Sequence, residues 1–146
     1  MDTPTTPDLR QRAAFDFFTR ESLRIADLDQ NRHVNNLALL ALLENARNRF
    51  IEERTPLVRN EQRTYMLVHL ESDFIGELNY PGTPDAGCRI VEVRRSAVVF
   101  GQGLFDGERA IVTGRAITVN VDRTLRKATP FDDEERAKLL ALMARP

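Results

Sequence analysis

The stretch from Asp27 to Leu43 constrains the fold more than any other part of the chain. Ten polar-rich residues, Asp27-Leu28-Asp29-Gln30-Asn31-Arg32-His33-Val34-Asn35-Asn36, run directly into seven uncharged apolar ones, Leu37 to Leu43. Asn35 or Asn36 suits a helix N-cap, because a short amide side chain accepts from the free N–H groups of the first turn. Leu39, Leu43, Ala46 and Phe50 then recur at i, i+4, i+7 and i+11, one face of a 3.6-residue period. A helix is expected from Asn36 to about Arg54, where Thr55-Pro56 stops it, since proline disfavours helix for the residue before it. Its first two turns are apolar on every side, whereas Glu44, Arg47, Arg49, Glu52, Glu53 and Arg54 crowd the remainder. A helix apolar all round is one surrounded by protein, so the N-terminal half should be enclosed and the C-terminal half should emerge.

The rest of the chain reads as strands that could wrap this helix. Met1 to about Leu9 is rich in Pro and Thr and reads as a flexible tail. From Phe15 to Asp27, Phe15, Phe17, Leu23 and Ile25 recur at period two, with Arg20, Glu21 and Arg24 among them, which predicts a half-buried strand. Tyr65, Leu67 and His69 alternate with Met66, Val68 and Leu70, a strand apolar on both faces. Asn79 to Pro84 is a turn, followed by strands over Arg89–Arg95 and Ser96–Phe105. Gly101 and Gly103 in the latter mark a bulge or a close backbone approach. Asp106-Gly107 signals a hairpin of type I′ into a strand from Arg109 to Asp122. The end of that strand alternates, predicting Ile117, Val119 and Val121 inside and Thr118, Asn120 and Asp122 outside. Past Pro130, Asp132 or Asp133 should cap a short helix with Leu139, Leu140, Leu142 and Met143 on its apolar side. One long helix against one antiparallel sheet is an α+β architecture, and 1–146 is expected to form a single domain.

Bulk properties narrow the function. At 146 residues the chain can bury roughly two-thirds of its unfolded surface. A net charge of −1, with basic residues dispersed, gives no general attraction to nucleic acid or anionic membrane. The Leu37–Leu43 run is too short to span a bilayer, and Met1 to Pro7 lacks the regions of a signal peptide. Cys88 is the single cysteine, so no internal disulfide forms and a reducing, cytoplasmic setting is expected.

The polar loop admits several chemistries. Its opening matches a calcium loop, but the sixth position, which needs Gly, is Arg32, and the twelfth, which needs Glu, is Ala38. Asp29, His33 and His69 are a thin ligand supply for a transition metal, and no metal is expected. Cys88 reads as a small buried hydrophobe rather than a nucleophile. Asp and Asn also serve as plain turn and cap residues. As chemistry, Asp29 can act as general base or nucleophile, and Asn31 and the helix N-terminus can offer N–H groups to an oxyanion. His33 can exchange a proton near neutral pH. Base, orienter and oxyanion donors within one loop suit acyl transfer to water. Glu44 and Arg47, at i and i+3, read as a helix ion pair.

The segment from Asp27 to Arg47 resembles the hotdog-fold thioesterases of the 4-hydroxybenzoyl-CoA thioesterase type. Their helix entry carries an Asp-x-Asp pair, Gly-His-Val-Asn-Asn, and then Glu-x-Ala-Arg on the helix. Here these read Asp27-Leu28-Asp29, His33-Val34-Asn35-Asn36 and Glu44-Asn45-Ala46-Arg47. Asp29-x-Asn31-x-His33 is also similar to the active-site motif of the plant acyl-carrier-protein thioesterases. Glu71–Phe74 and Arg126–Pro130 resemble the family's second strand and its link to a C-terminal helix. The resemblance implies a hotdog fold, an antiparallel sheet of about five strands around the long helix, with a short C-terminal helix. It implies hydrolysis of an acyl-CoA or acyl-carrier-protein thioester without a cofactor, at a site shared in a homodimer or tetramer. Asp29 matches the catalytic carboxylate, and Asn31 and His33 match the groups that polarise the carbonyl or assist proton transfer. Arg32, Val34, Asn35 and Asn36 fall at substrate-binding positions. Arg32 stands where the family commonly has Gly. Hotdog hydratases carry Asp-x-Asn-Pro-x-His, whereas no Pro follows Asn31 here and His33 comes one residue early. A non-catalytic acyl-thioester-binding protein is the other alternative.

Overall fold

The computed structural model describes residues 6–145. Its regular elements are β1 (Phe18–Arg20), α1 (Asn36–Arg54), β2 (Arg63–Phe74), β3 (Asp85–Val93), β4 (Ala97–Asp106), β5 (Arg109–Asp122), β6 (Lys127–Ala128) and α2 (Asp133–Met143). The strands form one antiparallel sheet in the order β1-β3-β4-β5-β2, with the short β6 also pairing with β5. This curled sheet packs on α1 as a hotdog fold.

Two buried clusters join helix to sheet. Val34, Leu39, Leu43 and Ala46 meet Leu104, Ile111 and Val112 near the start of α1. Phe50 and Ile51 meet Phe17, Ile90 and Phe100 near its end, where Leu139 of α2 seals the core. Phe50 lies edge-on to Phe17 at 5.3 Å and to Phe100 at 6.0 Å. Such pairs add about 0.5–1.5 kcal/mol beyond burial. The expected bounds of α1 hold, with Asn35 as N-cap and Thr55 as C-cap. Asp132 caps α2 through a reciprocal pair of bonds with Glu135, at 2.7 and 3.1 Å.

Several expectations need correction. The strand expected over Phe15–Asp27 shrinks to Phe18–Arg20, flanked by 3-10 turns at Arg12–Ala14 and Ile25–Asp27. Its partner β3 begins only at Asp85, so the ladder ends as Glu21 N–H bonds the Pro84 carbonyl at 2.9 Å. Pro84 has no N–H to return a bond. Glu21 shares the inward phase of Phe15, Phe17 and Thr19 and is buried, accepting from Thr19 Oγ1 and Asn45 Nδ2, both at 2.7 Å. On β5 the alternation is present with inverted phase. Thr118 and Asn120 are buried on the helix side, while Ile117, Val119 and Val121 are half-buried on the outer face. Asn120 tolerates burial because its Nδ2 donates to the Thr129 carbonyl at 3.1 Å.

The hairpin closes on Asp106 paired with Arg109, which makes Gly107 and Glu108 its central residues. Gly107, at φ +61°, has a positive φ and Glu108 does not, the pattern of a II′ rather than a I′ turn. In the expected tail, Met1–Thr5 lie outside the described residues. Leu9 is half-buried across β4, where a Cβ on Gly101 would come within 2.8 Å of its Cδ2. Gly101 therefore marks a close approach. On α2, Leu140 faces outward instead of joining Leu139.

The enclosed N-terminal half of α1 is the largest departure. Leu37 is 79% exposed, Ala41 is exposed and Leu40 is half-buried. The strand β2 pairs with β5 along one edge and ends the strand order, and it shares a cavity with Glu44, Asn48 and Ile51 of α1. Its Leu67 and Leu70 lie opposite the inward residues Thr118 and Ala116 of β5 and so face the helix side. A bulge at Val68 shifts the alternation between them and turns His69 outward, opposite Ile117. Leu67 and Leu70 are both exposed. An apolar trough between α1 and β2 is thus open along one flank of a single chain.

Candidate active site

The loop before α1 is a compact turn held by its own backbone. Asp29 N–H donates to the His33 carbonyl at 2.8 Å, and Arg32 N–H donates to the Asp29 carbonyl at 3.0 Å. Leu28 and Val34 bridge across its base. Closing so tight a turn takes a left-handed residue, and Arg32 supplies it at φ +61°. That is the conformation glycine adopts without strain, and here an arginine adopts it.

The Asp29 carboxylate is fixed from one side. Its Oδ1 accepts the amides of Asn31 at 2.8 Å and His33 at 3.1 Å. Its Oδ2 has no hydrogen-bond donor among the described residues, and the residue is exposed. Asn31 is exposed beside it, and His33 is half-buried with Nε2 at 3.6 Å from Glu77 Oε2. His33 bridges to Asn79, and Val34 N–H bonds the Leu78 carbonyl at 3.0 Å, so the segment Glu77–Asn79 braces the loop. Glu77 was not among the expected site residues, because nothing in local spacing links it to His33.

The positions expected to bind substrate divide by their contacts. Val34 is buried in the core, and its side chain anchors the loop. Asn35 Oδ1 accepts Ala38 N–H at 2.8 Å, and its Nδ2 donates to the Asp27 carbonyl at 3.0 Å. The amides of Asn31, Arg32 and His33 are all spent inside the turn. Those of Asn36 and Leu37, at the positive end of the α1 dipole, have no acceptor among the described residues. Asn36 is therefore better placed than Arg32 to offer an N–H to an oxyanion. Below the loop, Asp27 is buried with its carboxylate on Arg24 Nη2 at 2.9 Å and Arg24 N–H at 2.8 Å. The Arg24 hydrogen bond holds the Asp27 carboxyl below its ordinary pKa.

Further along α1, Arg47 does not pair with Glu44. It is buried, and its Nη1 donates to Gln102 Oε1 at 2.9 Å. Gln102 Nε2 in turn donates to the Leu43 carbonyl at 2.6 Å. Cys88 is fully buried, and desolvation pushes its thiol pKa well up, which removes it as a nucleophile. No cluster of three or more His, Cys, Asp or Glu suited to a metal occurs among the described residues.

Comparison with known proteins shows the family and the fold. Residues 23–139 match the family model of the thioesterase-like superfamily. The chain is 26% identical over 137 residues to the uncharacterised protein YsmA of Bacillus subtilis (strain 168), covering 88% of each chain. Its structure is similar to that of the PA5185 protein from Pseudomonas aeruginosa PAO1, with TM-score 0.79 and 27% identity over 90% of this chain and 94% of that one. It also shares its fold with a thioesterase from Thermus thermophilus complexed with coenzyme A and Zn, with TM-score 0.77 and 23% identity over 90% and 97% of the two chains. The family supports the enzyme class expected from the loop, a thioester hydrolase. The family match spans both the polar loop and the sheet that braces it, and the chain belongs to the thioesterase-like superfamily.

Proposed function

We propose that the chain hydrolyses an acyl-CoA or acyl-carrier thioester, with Asp29 as general base or nucleophile. The observation that carries this reading is the half-tethered carboxylate. Asn31 and His33 amides hold Oδ1 still, and Oδ2 faces out at the entry to α1. In the base route, Oδ2 removes a proton from water as the water oxygen attacks the thioester carbon. The carbonyl oxygen becomes an oxyanion, received by the Asn31 side-chain amide and the free amides of Asn36 and Leu37. The C–S bond then breaks, the thiolate takes the proton, and the free acid remains. His33 assists that transfer, with Glu77 near its far nitrogen.

Two chains make the working unit in this reading. The edge strand β2 and the first turns of α1, next to the site loop, both leave apolar residues exposed. A second copy adding its own β2 to that edge closes the trough. Coenzyme A bound to the Thermus thermophilus thioesterase of the same fold supports the choice of thioester. We place the reaction in the cytoplasm, the reducing setting to which the single cysteine, Cys88, points.

A thiol-release assay over aliphatic and aromatic acyl-CoAs tests the reading. Wild type should turn over at least one, and Asp29→Ala should lose about 10²-fold or more in kcat, the scale for a positioned base. No turnover by wild type on any thioester would leave a binding protein instead. Unchanged rates in a folded Asp29→Ala variant would move the chemistry away from this loop.

A further inference from the structure

A cavity of about 210 Å³ lies between α1 and β2, lined by Glu44, Arg47, Asn48 and Ile51 on the helix and by Arg59, Tyr65, Leu67 and Thr118. Arg47 is 4% exposed, and no carboxylate oxygen lies within 4 Å of its guanidinium among the described residues. Its hydrogen-bond partner is the neutral Gln102 amide. A buried cation without a counter-charge is costly, because desolvation penalises the charged form. Burial accordingly draws the Arg47 pKa below its ordinary value, with Cys88 and Glu44 acting the other way. Arginine does not escape the cost by losing its proton near neutral pH.

A second guanidinium faces the same space. Arg59 stacks on the Tyr65 ring with its Cζ 4.2 Å from the centroid, and it forms no ion pair among the described residues. Glu44 is exposed at the rim, so the lining itself carries two cations against one carboxylate, with a second carboxylate, Glu52, acting on Tyr65 from outside it. Asn48, Thr118 and the Tyr65 hydroxyl add neutral donors.

The cavity also has an apolar approach. Leu37, Ala41, Glu44 and Asn48 recur at i, i+4, i+7 and i+11 along one face of α1. That face is apolar near the site loop and polar at the cavity, about 16 Å further along the axis at ~1.5 Å per residue. Leu67 of β2 lines the cavity, and Leu70 lies on the same face of that strand.

We infer that this cavity is a carboxylate-binding site, with Arg47 and Arg59 as its cationic ligands. The ligand is either the distal carboxylate of an acyl chain whose thioester sits at Asp29, or a free organic carboxylate bound beside the chain. The first source rests on the thioester-hydrolase reading; the second does not.

The test uses the full-length protein, with dicarboxylyl-CoAs long enough to approach the ~16 Å from site loop to cavity (dodecanedioyl- and tetradecanedioyl-CoA), each compared with the neutral acyl-CoA of equal length. Thermal unfolding with added adipate, and with adipamide as its neutral counterpart, forms the second arm. If the acyl chain is the source, wild type prefers at least one dicarboxylyl-CoA by about tenfold in kcat/KM, the scale of one charged hydrogen-bonded contact. Arg59→Ala should then bring that ratio close to one. If a free carboxylate is the source, adipate raises the wild-type Tm saturably, adipamide does not, and Arg59→Ala abolishes the rise. Arg47→Gln should act in the same direction, and Arg59, at the exposed rim, keeps the test usable if that core variant does not fold. No preference in the first arm together with no saturable rise in the second overturns the site. A protein that hydrolyses no thioester but still binds adipate through Arg59 would sink the hydrolase reading and keep this one.

Discussion

The backbone at Arg32 sits in the left-handed region, a conformation that costs a residue with a Cβ roughly 1–2 kcal/mol. The cost is tolerated because four amide hydrogen bonds close the turn, and two of them hold the Asp29 carboxylate. Replacement by glycine should relieve strain while adding freedom to the unfolded chain, so Arg32→Gly should lie within about 1 kcal/mol of wild type. Arg32→Val should be less stable than Arg32→Gly by about 1–2 kcal/mol, since a β-branched side chain suits positive φ worst. Urea unfolding of the two variants measures the difference directly. Equal midpoints would mean that the turn does not require this conformation. The grouping of Asp29, Asn31 and His33 was legible in the sequence, because they stand together in one short loop. The use of the Arg32 amide was not, since a residue name carries no φ and the bond is made within the turn.

At the scale of elements, legibility followed how local the determining interaction is. The bounds of α1 depend on Asn35 capping Ala38 N–H and on Thr55-Pro56 ending the helix, all within a few residues of each other. Strand phase depends on distant partners. The bulge at Val68 keeps Leu67 and Leu70 on one face and turns His69 to the other, and only the register against β5 reveals it. Thr118 and Asn120 read as outward by polarity, yet they line the helix side because the Thr129 carbonyl and the Arg47 cavity give them polar surroundings. The strand expected through Ile25 stopped early because its partner begins at Asp85, after a proline. The Asn35 cap also couples helix to site, since the same side chain donates to the Asp27 carbonyl under the loop. Asn35→Ala should cost about 1–2 kcal/mol and lower kcat as well. Asn35→Asp keeps the acceptor and loses the donor, so it should recover much of the stability and less of the rate. Chemical unfolding alongside thiol-release kinetics separates the two; parallel recovery of both would argue that the Asp27 link is idle.

For the molecule as a whole, the open flank governs what a single chain can do. An edge strand of twelve residues carrying exposed Met66, Leu67, Val68, Leu70 and Phe74 lacks the lysines and prolines that usually blunt such edges. The first turns of α1 also expose Leu37 and Ala41. A second copy would satisfy both features, with β2 pairing another β2 in antiparallel fashion while the two helices cover each other's apolar face. A stable contact of this kind needs about 800 Å² per partner, within reach of a long strand plus a helix face. Wild type should therefore sediment as a dimer or a multiple of one at micromolar concentration. Leu67→Lys with Leu70→Lys places two charges on the inner face of each β2, where they would be buried and would repel their symmetry mates. That variant should shift to monomer with its circular dichroism retained, and its thioester turnover should fall with the loss of dimer. Turnover that falls while sedimentation stays dimeric would assign these leucines to the acyl pocket alone. Wild type that remains monomeric at micromolar concentration, yet hydrolyses thioesters, would show that one open chain suffices and would remove the shared site.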